Sequence, residues 1–301
     1  MGAAGEWPKG MNRPMYMRGR QLAVVAASVG VLTGHPRPSE AAPTGFQVGE
    51  GFAYNLSVGA IQAGQARMAV GAPTVIKGRR LLTVQGEAKS AAWLALIARL
   101  EDDYKAVIDA DTLVTRTVSV VERGLRDRRL DVVAERTGNV ARVILDIVKP
   151  NQPKRHELHQ LSGTPLDPMA ALFTMRAAPL VDGDQFEMLA FDGPAFYQTK
   201  VRVGGREPLE RQGRETVPTI RVELVATRVD DRGKPNGSPI RRGTIWFSDD
   251  DRRVPYKVAG DTDFGRAELE LVAYRPGKPP APPHRVQATM APMPVPPVRL
   301  E

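Results

Sequence analysis

The chain has 301 residues, 42% of them hydrophobic and 25% charged, with no cysteine and a formal net charge of +8. That balance describes a folded globular protein, and the lack of cysteine excludes disulfides, thiolate metal sites, cysteine nucleophiles and a lipidated leader. Part of the positive excess lies in residues 1–41 and 276–301 and the rest is interspersed with acidic residues, which argues against the concentrated basic surface that nucleic-acid binding requires.

In chain order, the first feature is an address. Arg18 and Arg20 precede the apolar run Leu22–Leu32, which has the length of a signal-peptide core and is too short to span a bilayer. Ser39 and Ala41 supply the small residues of a cleavage site before Ala42. Residues 1–41 therefore read as a signal peptide, with Met17 as an alternative start that gives a leader of more usual length. An uncleaved anchor or a buried core strand is the plainer reading of the same run. No second run of spanning length follows, so the mature chain is not expected to cross a membrane.

Residues 42–275 read as a single antiparallel β domain. Val143, Leu145 and Ile147 alternate with Arg142 and Asp146; Ile220, Val222 and Leu224 with Arg221 and Glu223; Leu269 and Leu271 with Glu268 and Glu270. Successive strand side chains point to opposite faces, so each segment has one dry and one wet face. About a dozen such segments are legible, separated by turn chemistry such as Asp182-Gly183 and Pro235-Asn236-Gly237. The pattern predicts a curled antiparallel sheet or barrel.

Two segments break the alternation. Ser90 is placed to cap a helix carrying Trp93, Leu96, Ile97 and Leu100, ending near Glu101-Asp102-Asp103. Asp167 caps a second, with Pro168 in its first turn and Met169, Leu172 and Phe173 as an apolar stripe. Two short helices beside a curled sheet are expected to cover its concave face. Residues 276–301 form a Pro-rich tail expected to be extended and disordered.

Three segments share a resemblance. Val48 to Leu56 with Ala60 to Gly64, then Asp167 to Arg176 with Gly183, then Trp246 to Pro255 leading to Gly265–Leu269, together resemble the domain-of-unknown-function 3108 family of exported bacterial proteins. The resemblance covers residues 46–275 and implies an envelope setting and a mainly β domain. It brings no established activity. By analogy of fold alone, a curled sheet wrapped over helices is similar to periplasmic carriers of lipids and lipoproteins. Read without the family, Gly49, Gly51 and Gly64 suit a bulge or sharp bend, Ser248–Asp251 a polar hairpin turn, and Trp246 and Phe247 opposite faces.

Catalytic and metal motifs are not evident. His156 and His159 are spaced by three in a loop-like stretch, whereas a zincin helix needs its pair at i and i+4, and Lys154 and Arg155 oppose a cation. The runs Asp249–Asp251 and Glu101–Asp103 lack the alternation and glycine of a calcium loop and the separation of glycosidase carboxylates, and read as solvated turns. There is no Gly-x-Ser-x-Gly elbow, phosphate loop or dinucleotide fingerprint.

The expectation is therefore a non-enzymatic periplasmic or secreted binding or carrier module for an apolar ligand such as a lipid chain, without metal or cofactor. Trp93, Leu96, Ile97, Leu172 and Phe173 are the candidate ligand-facing residues, and ordinary core is the plainer role for them. The alternative is a structural or assembly partner in the envelope, docking another protein through its tail or a sheet edge.

Overall fold

The computed structural model describes residues 45–280, apart from 96–98, 125–126, 212, 214 and 263–264. The signal-peptide reading, Leu96, Ile97 and most of the Pro-rich tail therefore lie outside the described residues, as does the side chain of Trp93.

Sixteen strands form one sheet. The first group is β1 (Gly51–Val58), β2 (Ile61–Val70), β3 (Thr74–Ile76), β4 (Arg79–Ser90), β5 (Leu100–Asp109) and β6 (Thr115–Gly124). Next come β7 (Arg128–Thr137), β8 (Val140–Val148), β9 (Arg155–Ser162) and the two-residue β10 (Pro165–Leu166). After helix α2 (Pro168–Ala177) follow β11 (Gln185–Asp192), β12 (Ala195–Glu210), β13 (Thr216–Val229), β14 (Arg241–Ser248), β15 (Pro255–Thr262) and β16 (Gly265–Arg275). A single turn, α1 (Ala92–Ala95), lies between β4 and β5.

Nearly every strand pairs antiparallel with its chain neighbour, and β1 pairs with β16, so the first and last strands meet inside the sheet. The break in the nearly closed barrel falls mid-chain instead, between β9 and β10. Its cause is local. Gly163 takes a positive φ of 106°, and Pro165 and Pro168 have no N–H to donate to a ladder. Lys278 pairs with Val48 through two backbone bonds of 2.7 and 2.9 Å, so the first tail residues are stitched to the barrel and the ordered domain runs past residue 275.

The strand count exceeds the expected dozen for identifiable reasons. β3 and β10 are too short to show a period. β9 begins at the end of Lys149–Arg155, whose turn formers predict a loop. β5 lies where the apolar spacing predicts the end of a helix. There, Ser90 caps no long helix: it ends β4, and its Oγ accepts the Leu100 N–H at 3.1 Å. Glu101 and Asp103 are outward strand residues, held by Arg99 at 2.6 Å and Arg123 at 2.7 Å, while Asp102 points inward. Tyr104, Ala106 and Ile108 continue the inner row, so period two governs where period 3.6 was expected.

The second helix forms where the sequence places it. Asp167 accepts the N–H groups of Met169 and Ala170, and Pro168 sits in the first turn. Gly64 serves a close approach: it lies beside the β1–β2 irregularity, and a Cβ there would sit 2.2 Å from the Lys89 carbonyl oxygen. Ser248–Asp251 lies at the β14–β15 turn, Phe247 is fully buried, and Trp246 faces the other way to donate to Glu207 at 2.6 Å.

Candidate functional site: an interior cavity walled by helix α2

Helix α2 is inserted into the barrel and anchored at both ends by buried charge. At its start, Asp167 is fully buried; it accepts hydrogen bonds from the Tyr104 hydroxyl at 2.6 Å and the Thr115 hydroxyl at 2.6 Å, besides capping the helix. Burial, then the Asp167 carboxylate, pushes the Tyr104 phenol well above its ordinary value.

At the other end Arg176 meets Glu50 in a two-pronged pair of 2.7 and 2.9 Å, both side chains being buried. Glu50 also accepts from the Tyr274 hydroxyl at 2.9 Å and the Gln47 N–H, and Arg176 donates to the Arg252 carbonyl at 2.6 Å. Such a pair is tolerated in the interior because most of its lone pairs and protons are used, the buried Arg176 Nε–H being left without an acceptor. Burial raises the phenols of Tyr54 and Tyr274 around it. Gly45, with φ 78°, lets the entering chain press on the helix, where a Cβ would lie 2.4 Å from the Phe173 carbonyl oxygen.

Against the helix lies a cavity of about 730 Å³. Met169, Leu172 and Met175 form its helical wall. Leu172 thus faces the concave space. Phe173 does not line it: it is fully buried on another side of the helix, its ring 6.0 Å from that of Phe46 and 5.9 Å from the Arg176 guanidinium. The stripe of Met169, Leu172 and Phe173 is divided because the helix is buried on several sides, so its edge residue Phe173 meets the core and not the cavity. Of the other sequence candidates, Trp93 falls in α1 with its side chain outside the described residues, as are Leu96 and Ile97.

The space exists because inward positions are small. Ala66 pairs with Ala88, Met68 with Gly86, and Gly243 with Gly260, all of them lining the cavity. At Gly86 an added Cβ would meet nothing nearer than 3.5 Å, and at Gly260 nothing nearer than 3.8 Å; neither has a positive φ. Glycine is not needed there for backbone geometry; its effect is room.

The remaining lining is soft. Met68, Met169, Met175 and Met188, all the methionines among the described residues, line this cavity. Thioether side chains adapt to irregular apolar shapes. Polar groups gather toward the end away from the helix: Asp102, Glu122, Asp192, Arg241 and Asp261. On the inner face Asp102 pairs with Glu122 and Glu122 with Arg128, whose guanidinium binds it twice. The site is apolar against the helix and carries charged groups at the strand ends away from it.

The two strand histidines are not brought together. Residues three apart in a strand face opposite ways, and His156 bonds Asp146 outside while His159 turns inward. Among the described residues no group of three or more His, Asp or Glu is placed to hold a metal ion. Nor is any described helix long and apolar enough to cross a membrane.

Residues 53–272 match the family model described as "Protein of unknown function (DUF3108)". The chain belongs to that family. No curated protein matches this DUF3108 chain. Among solved structures it is similar to the "Beta-barrel-like Protein of Domain of Unknown Function DUF1849 from Brucella abortus", at 14% identity and a TM-score of 0.49, over 76% of this chain and 97% of that one.

The sequence reading missed Glu50, Arg176, Tyr104 and three of the four methionines, Met68, Met175 and Met188, while placing Met169 on the helix stripe. For the cavity a signal was present: alternating strands whose inward positions are alanine or glycine. For Glu50 there was none, since its partner is 126 residues away.

Proposed function

We propose that this protein is a non-enzymatic carrier of the bacterial cell envelope that shelters one apolar chain, such as a lipid chain, between the sheet and α2. The cavity emptied by Ala66, Gly86, Ala88, Gly243 and Gly260 carries this reading. The chain's apolar part lies against Met68, Leu172, Met175 and Met188, and its polar end meets the charged rim. The leader-like residues 1–41 supply the export that the reading needs.

The test is to purify the full exported chain without detergent and compare native with denaturing mass spectra. Extra mass seen only in the native spectrum and extractable into organic solvent is expected. An apo mass that stays apo when challenged with envelope lipids overturns the reading.

A second reading, an assembly partner in the envelope, is favoured by one observation. Val133 and Leu158 are exposed (39% and 47%) on the outside of the sheet near its β9 edge. Placing glutamate at both exposed positions, Val133→Glu with Leu158→Glu, separates the two. A carrier retains its ligand, whereas an edge-docked adaptor loses its partner.

A further inference from the structure

The barrel is closed by backbone pairing everywhere except at the β9–β10 break, so its closure there depends on side chains. The two margins overlap. Tyr197 lines the cavity, which places its neighbour Phe196 on the opposite face of β12, yet Phe196 is only 3% exposed. Beside its cross-strand neighbour Phe191, 6.3 Å away, the His159 ring of β9 packs on Phe196 edge-on at 4.9 Å.

His159 also holds the overlap electrostatically. Its Nδ1 lies 2.8 Å from Asp231 Oδ1 in the loop between β13 and β14, and its Nε2 lies 3.3 Å from Glu157 Oε2 on its own strand. That loop is itself shaped: Asp230 accepts the Arg232 and Lys234 N–H groups, which presents Asp231 to the ring. Glu157 is shared with Arg155 at 2.5 Å. The other residues against the ring, Phe196 from β12 and the cross-strand Val143 from β8, carry no charge.

A neutral imidazole has one N–H and one lone pair, so it donates to only one of these two carboxylates and turns a lone pair toward the other. The imidazolium donates to both. We propose that His159 is a pH-sensitive latch on this overlap, closing it when the ring is protonated and loosening it when the ring is neutral. The sign follows from the donor count. The ring state with two N–H donors holds both carboxylates, so closure is favoured in acid and weakened on going to alkaline pH. Leu130 and Tyr197 line the cavity on the two sides of the overlap, and Leu130 reaches within 3.2 Å of where a Cβ on Gly193 would sit. Loosening the latch therefore opens a side entrance, a consequence that rests on the cavity reading above.

Because the chain has no cysteine, Gln160→Cys on β9 and Lys200→Cys on β12, both exposed, can be spin-labelled without background. Pulsed electron resonance then gives their distance distribution at about pH 5.5 and about pH 8. The separated population is expected to rise severalfold at the higher pH. The same pair carrying His159→Gln, or Asp231→Asn as an independent variant that keeps the ring, is expected to give one distribution at both pH values. An unchanged distribution in the parent, or the same pH shift in both variants, overturns the latch. Uptake of the apolar dye N-phenyl-1-naphthylamine is measured in parallel. A seam that moves in protein taking up no dye supports the latch and counts against the cavity reading, whereas dye uptake with a static seam overturns the latch alone.

Discussion

The half of the barrel around α2 and the half around its rim are built to opposite rules. Away from the cavity the interior side chains are large and filled: Phe52, Leu82, Ile108, Phe173 and Phe247 are at most 3% exposed, and the buried Glu50 and Arg176 among them are paired. Toward the rim the same inward rows carry Ala66, Gly86, Ala88, Gly243 and Gly260, and the charges gather around open space. One alternating pattern yields both halves, because alternation sets only which way a side chain points. Its size decides whether the interior is core or cavity.

The comparison breaks most visibly at the buried pair. Glu50→Ala or Arg176→Ala strands a charge in the filled half and is expected to cost about 3–5 kcal/mol in chemical denaturation. Replacing both with apolar residues of similar volume is expected to cost less than either single change. A loss below about 1 kcal/mol for both single variants counts against the pair as the anchor of the helix. At the other end, Asp167→Ala removes a helix cap and the acceptor of two hydroxyls, and a loss of about 2 kcal/mol is expected by the same measurement.

The filled half also sets the alkaline limit. Tyr54, Tyr104 and Tyr274 all hold their protons more tightly folded than unfolded, chiefly through burial. Above pH about 10 the unfolded chain releases phenolic protons that the folded chain keeps, so unfolding is favoured as pH rises. Their contribution is fully present below that pH and is lost progressively above it. Tyr274→Phe is expected to make the decline shallower in a titration of unfolding midpoint against pH.

In the rim half the expected effects on stability are small and those on binding large. Gly86→Leu fills space without displacing backbone, so stability is expected to change by no more than about 1 kcal/mol while the ligand mass in native spectra disappears. Retention of that mass places the ligand elsewhere. Smallest of all, Arg129→Ala removes an exposed contact with Asp131 and is expected to leave the unfolding midpoint unchanged.

Much of this architecture was legible residue by residue. The alternation around Val143, Ile220 and Leu269 marks real strands, Asp167-Pro168 starts a real helix, and Phe247 is the inward ring of its pair. Legibility failed where two periods compete over a short stretch. Ser90 to Asp103 offered apolar residues at helical spacing, yet β5 is held as a strand by cross-strand partners that a local pattern does not contain. The candidate site was half legible: Leu172 faces the cavity, but Phe173, one residue on, turns into the core against Phe46.

The sequence by itself determined what local forces decide: strand faces, turn positions, the helix start and the missing ladder donors at Pro165 and Pro168. Only the tertiary structure decided that β1 meets β16, that Glu50 finds Arg176, that small inward residues from several strands fall around one space, and that β9 overlaps β12 with His159 between two carboxylates. Each of these joins residues far apart in the chain, so no window of sequence holds both partners.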